Sequence, residues 1–245
     1  LSSQPPRIEN LVCSGRLPPT TSHGQTLGSH PGKAGGLPLF WLLIDKGLDV
    51  SAEDILGRTV LMHAAEGGSL DLVKFLIEKG ANVKVTGHSG RTVLMSAAEG
   101  GNLDLVSFLI EKGLDVKASD RYGETVLMCA VQGGKNLDVV KLLIDKGSDA
   151  NSEDITGQTA LMKASERGNL EIVKLLIEKG ADVNAKENSP VIPDTWKVFR
   201  SLVRSFIDKK FIVVLEGKGR TALKIAQEKG HKEIVEYLKA HGAKE

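Results

Sequence analysis

The stretch Gly90–Tyr122, G-R-T-V-L-M-S-A-A-E-G-G-N-L-D-L-V-S-F-L-I-E-K-G-L-D-V-K-A-S-D-R-Y, decides the fold, because near copies of it lie on both sides. The glycine that opens each copy falls at Gly57, Gly90, Gly123 and Gly157, in steps of 33, 33 and 34 residues. A period in that range marks a protein built of stacked repeats. The extra residue in the third step is Lys135, where Q-G-G-K-N-L-D replaces E-G-G-N-L-D, and it reads as a loop insertion.

Each copy predicts two helices. After Gly-x-Thr comes the short segment V-L-M-S-A-A-E (93–99), then Gly100-Gly101 as a helix stop and Asn102 as the next N-cap. In the second helix Leu103, Leu105, Val106, Leu109 and Ile110 recur at helical spacing, with Asp104 in the first turn and Lys112 in the last, both suited to the helix dipole. Gly113 ends it. The remainder, L-D-V-K-A-S-D-R-Y-G, has the composition of an extended turn or hairpin leading to the next copy.

These residues resemble the ankyrin repeat, with its G-x-T-x-L-x-x-A-A-x-x-G, then L-D-L-V-x-x-L-I, then G-A-D-V-N-A, most completely in Gly157–Ala185. The resemblance covers roughly 180 residues, with five copies in register. It implies an all-α ankyrin-repeat solenoid of stacked helix-turn-helix units with β-hairpin fingers, about five full repeats plus one degenerate N-terminal half repeat. The family's T-P-L-H is here T-V-L-M or T-A-L-M. All four methionines, Met62, Met95, Met128 and Met162, take the histidine place, and Val60, Val93, Val126 and Ala160 replace the proline. A methionine stripe serves either as a promiscuous binding face or as packing between repeats; packing is the expectation.

At 245 residues the chain is long enough for one or two domains, but a repeat array grows linearly and one elongated domain suffices. A single repeat buries too little apolar surface to offset the entropy of ordering it, so stacking must supply the rest. The net charge of +1 gives no global case for nucleic acid. Residues 189–218 carry six basic and three acidic side chains, whereas the array is net acidic. The two cysteines, Cys13 and Cys129, form no spaced framework, so neither a disulfide scaffold nor a zinc site is expected. A reducing, intracellular and cytoplasmic setting follows as the default. No apolar run approaches the roughly 18 residues of a membrane span.

Residues 1–36, rich in Ser, Pro and Gly, have the composition of a disordered segment containing a degenerate repeat start. Repeats occupy 37–188. Residues 189–218 form an insertion, since the step from Gly157 to Gly219 exceeds one repeat by 29 residues. Within it Trp196, Phe199, Val203 and Phe206 share one helical face while Lys197, Arg200, Arg204 and Lys209 lie elsewhere, the pattern of a basic amphipathic helix. Three readings of that helix stay open: packing on the array, docking to a partner or an anionic surface, or a stretch foreign to the mature chain. Residues 219–245 read as a capping repeat, with Gln227, Lys232 and Lys239 in the places of Ala98, Leu103 and Ile110. On the same reading Glu245 is the terminus.

No catalytic reading survives geometry. Cys129 and His63 occupy equivalent places two repeats apart, about 20 Å on the usual helix spacing, far beyond the contact a nucleophile and base require. Gly28–Ala34, G-S-H-P-G-K-A, misses a phosphate loop by one glycine position and by the hydroxyl that would hold magnesium. The expectation is a non-catalytic, monomeric protein-interaction module with no cofactor, metal or small-molecule substrate. The resemblance implies that partners are gripped by finger tips and the exposed side of the first helices, a continuous concave face. These map onto the positions where the copies differ. At the fingers they are Ile55, Leu56, Arg58; His88, Ser89, Arg91; Arg121, Tyr122, Glu124; Ile155, Thr156, Gln158. On the first helices they are His63, Ser96, Cys129 and Lys163, which follow each methionine, and Glu66, Glu99, Gln132 and Glu166 one step outward. Tyr122 and Arg121 are the expected anchors, and the recurrent glutamates favour a partner with basic residues. The alternative is binding to acidic lipid or nucleic acid through the basic insert.

Overall fold

The computed structural model describes residues 49–134, 136–187 and 219–244. Within these, ten helices form five pairs: α1 Val60–Glu66 and α2 Leu70–Glu78; α3 Val93–Gly100 and α4 Leu103–Glu111; α5 Val126–Gly133 and α6 Leu137–Asp145; α7 Ala160–Arg167 and α8 Leu170–Glu178; α9 Ala222–Lys229 and α10 Lys232–Ala240. Each pair packs on itself. The first helices α1, α3, α5, α7 and α9 also stack in one row, and α4, α6, α8 and α10 in a second. The result is the all-α repeat solenoid expected from the period.

Local chemistry starts each helix where the sequence places it. A threonine precedes every first helix, and its side-chain oxygen accepts from the backbone N–H three residues on: Met62 N to Thr59 at 3.4 Å, Met95 N to Thr92 at 3.2 Å, Met128 N to Thr125 at 3.2 Å. Asn102 and Asn169 cap second helices in the same way, from Leu105 N and Ile172 N. Asn102 also donates its side-chain amide to Gly68 O in the preceding repeat at 2.9 Å, tying a cap to the stack.

The methionines are structural. Met62, Met95, Met128 and Met162 are all buried, as are the leucines before them, Leu61, Leu94, Leu127 and Leu161. Second helices close the core from the other row with Val73 and Leu76, Leu105 and Leu109, Val140 and Leu143, Val173 and Leu176. The unbranched, flexible thioether packs between the repeats at these places.

The double glycine does more than stop a helix. Gly101, Gly134 and Gly168 take the left-handed C-cap conformation that L side chains rarely adopt. Gly100, one place earlier, is still helical, and a Cβ there would lie 2.6 Å from Glu66 O of the previous repeat. Absence of that atom lets neighbouring first helices touch.

The fingers are narrower than hairpins of paired strands: among the described residues they hold single antiparallel bridges, Glu53 with Thr59, Thr86 with Thr92 and Ser119 with Thr125. Each tip is linked to the next by a backbone bond, His88 N to Leu56 O at 2.9 Å, Arg121 N to Ser89 O at 2.8 Å and Ile155 N to Tyr122 O at 2.9 Å. Where the 29 extra residues interrupt the period, finger register resumes: Glu187 N donates to Arg220 O at 3.0 Å, matching Asp154 N to Gln158 O one repeat earlier. The degenerate repeat start and the basic helix of 189–218 lie outside the described residues. Gln227, Lys232 and Lys239 are exposed.

Candidate functional site

Among the described residues an aspartate builds three of the four complete finger tips. Asp54 Oδ1 accepts from Leu56 N at 2.8 Å and Arg58 N at 2.9 Å, and Asp120 and Asp154 repeat the pattern with Tyr122 and Glu124, and with Thr156 and Gln158. This Asx turn holds the two residues after the aspartate outward. In the second finger Gly87 takes that place, before His88 and Ser89.

What the turns present is apolar. Ile55 is 78 % exposed, Leu56 55 %, Tyr122 60 % and Ile155 65 %; apart from Leu137, at the start of α6, these are all the exposed large hydrophobics among the described residues. Arg121, His88 and Thr156 are exposed beside them, and Ser89 is half-buried.

Below the tips run ion pairs that join fingers to first helices and, from the second described repeat onward, each repeat to the next. Arg58 meets Asp54 at 3.0 Å and Glu66 at 3.6 Å. His63 Nε2 lies 3.1 Å from Asp54. Arg91 contacts Glu99 and reaches Glu124 at 3.7 Å, and Lys163 lies 3.4 Å from both Glu124 and Asp154. Arg220 meets Glu187 at 2.7 Å and Glu228 at 3.2 Å, and Lys229 meets Glu166 at 2.8 Å. Burial alone would raise the Asp54 pKa, but the backbone N–H groups of Arg58 and Leu56 and the side chains of Arg58 and His63 outweigh it and bring it down to about 2. The Lys229 ammonium likewise holds Glu166 below the usual range.

This network changes the role of the three recurrent glutamates. Glu66, Glu99 and Glu166 are each already paired with a cation, so none is a free acceptor for a basic partner. Along the whole chain of pairs, however, eight carboxylates meet five fixed cations, and the surface keeps an acidic excess.

Two expected contact residues are corrected. Ser96 and Cys129 are each only 1 % exposed and cannot meet a partner. In α3 and α5 every residue from the first to the sixth is buried. Arg91, lying across from the neighbouring repeat, places Nη1 3.7 Å from Cys129 Sγ and covers it. Burial pushes the Cys129 thiol up to about 12, so it stays protonated. His63 and Lys163, at the equivalent place, remain half-buried and reach the surface.

Sequence spacing did not reveal the cross-repeat ion pairs. The signal was present, since Glu187–Arg220 and Arg91–Glu124 are each separated by 33 residues, one period. Among the described residues no group of three His, Cys, Asp or Glu side chains is placed to hold a metal ion, and no helix is long and apolar enough to cross a membrane.

Comparison with known families fits this architecture. A model of ankyrin repeats in three copies matches residues 33–120 and 116–187, and a model of the single ankyrin repeat matches 218–244. Together these span well over half of the chain, which belongs to the ankyrin-repeat family. No curated protein matches it. Ankyrin repeats are in general protein–protein interaction modules.

Proposed function

We propose that this chain binds a protein partner non-catalytically, through the finger tips with the exposed side of the first helices beneath them. The observation that carries this reading is the row Ile55, Leu56, Tyr122 and Ile155. Apart from Leu137, the described helices keep their large apolar residues buried or half-buried, while these four are exposed, on turns that aspartates and tip-to-tip backbone bonds hold in place. Exposed apolar groups gathered on one surface mark an interaction site, and a tyrosine with an arginine beside it has the composition of a binding hot spot. The ion pairs below act as a rigid, acidic floor, so the partner's chemistry is an apolar segment flanked by basic residues.

The test compares capture by wild type and by the triple variant Ile55→Ser, Tyr122→Ser, Ile155→Ser from the same extract. Loss of the wild-type partner with unchanged thermal stability supports the reading. Equal capture by both moves the site elsewhere.

A further inference from the structure

The fourth repeat breaks the rule that brings first helices together. Gly100 and Gly133 end α3 and α5, and a Cβ on either would overlap the carbonyl of Glu66 or Glu99 in the preceding repeat. The same place in α7 is Arg167. Arg167 brings a Cβ and a long side chain, so α7 cannot approach α5 as α5 approaches α3. An open cavity of about 470 Å³ lies at this junction, lined by Gln132, Gln158, Lys163, Glu166, Arg167 and Lys229.

The lining is polar, with three cations against one carboxylate. Most of it is already engaged. Lys229 neutralises Glu166 at 2.8 Å, Lys163 is shared by Glu124 and Asp154, and the Gln158 amide donates to Glu187 at 2.6 Å. Only Arg167 and Gln132 border the cavity with no side-chain hydrogen bond or ion pair among the described residues. They offer a planar guanidinium fork and an amide NH₂.

We propose that this cavity is a carboxylate receptor, taking an aspartate or glutamate side chain of the partner between the Arg167 guanidinium and the Gln132 amide. The inference rests on the partner-binding reading above and adds to it: at the junction of repeats three and four the partner turns acidic. The tips of the same two repeats are Tyr122 and Ile155, so the partner segment that fits carries an apolar group beside its acid. A cationic side chain would meet Arg167 with like charge, and a neutral one would forgo the charge-assisted bond.

Side-chain NMR on the full chain tests it. Labelled protein is titrated with N-acetylglutamate amide, with N-acetylglutamine amide as the neutral control and inorganic phosphate as the second anion. The account predicts saturable shifts of the Arg167 Nε–H and Gln132 NH₂ signals with the glutamate compound and none with the glutamine compound. In Arg167→Gln the apparent affinity read at Gln132 falls about tenfold or more. Equal response to both compounds, response to phosphate alone, or a Gln132 response unchanged in Arg167→Gln overturns the proposal. This readout does not involve the tips. Retained shifts in a protein whose partner capture ignores the tip variant would therefore overturn the tip reading and leave the cavity standing.

Discussion

Gly100, in the last turn of α3, lies so near the Glu66 carbonyl of the preceding repeat that a methyl group on it would sit 2.6 Å from that oxygen. The stack depends on this missing atom, and the dependence is position-specific. Gly100→Ala should destabilise the array by about 1 to 3 kcal/mol through overpacking. Gly67→Ala, at the equivalent place in the first described repeat, where the nearest atoms among the described residues are 3.4 Å away, should cost little. Urea unfolding of both variants checks this; equal effects would show that the close approach is not what the glycine serves.

Met95 is fully buried between repeats, and its sulfur also lies 3.4 Å from Thr92 N at the helix start. Met95→Ala should cost about 2 to 5 kcal/mol. Met95→Leu, close in volume, should cost less than about 1.5 kcal/mol. Thermal melts of the two variants separate packing from surface roles, since an exposed methionine would tolerate both.

The Ser96 hydroxyl is buried and has no hydrogen-bond partner among the described residues. Leaving a polar group unsatisfied costs about 1 to 3 kcal/mol, so Ser96→Ala should not destabilise and should raise the melting temperature. Partner capture should be unchanged, because the side chain does not reach the surface.

Asp54 has a folded pKa of about 2, below its ordinary 3.8. A depressed carboxylate contributes stability that is present above its unfolded pKa and lost as the pH falls through the folded one. Thermal unfolding followed from about pH 5 down to pH 2 should therefore show a steeper loss for wild type than for Asp54→Asn. Parallel curves would show that the finger turn draws nothing from this charge.

Most of the fold was legible because it repeats. Turn glycines at Gly57, Gly90, Gly123 and Gly157 set the period, and the apolar pattern of Leu103–Ile110 set the second helix. Two features were misplaced for one physical reason. Ser96 and Cys129 stand where the neighbouring copies hold His63 and Lys163, and only those longer side chains reach out from that level of the stack, so the repeat pattern alone did not separate core from surface there. Ser96 and Cys129 belong to the core rather than to the contact surface. The tips were legible, since Ile55, Tyr122 and Ile155 are apolar residues in turn sequence. The ion pairs beneath them were less so, because a charge finds its partner one repeat away rather than nearby in the chain.

Site-specific photocrosslinking tests the central claim most directly. A benzoylphenylalanine is placed at Tyr122, at Ile155 and, as the control on the exposed outer side of α6, at Lys141. Adducts with one protein partner from positions 122 and 155, and none from 141, are the predicted result. An adduct from 141 alone, or none from either tip, would contradict the account.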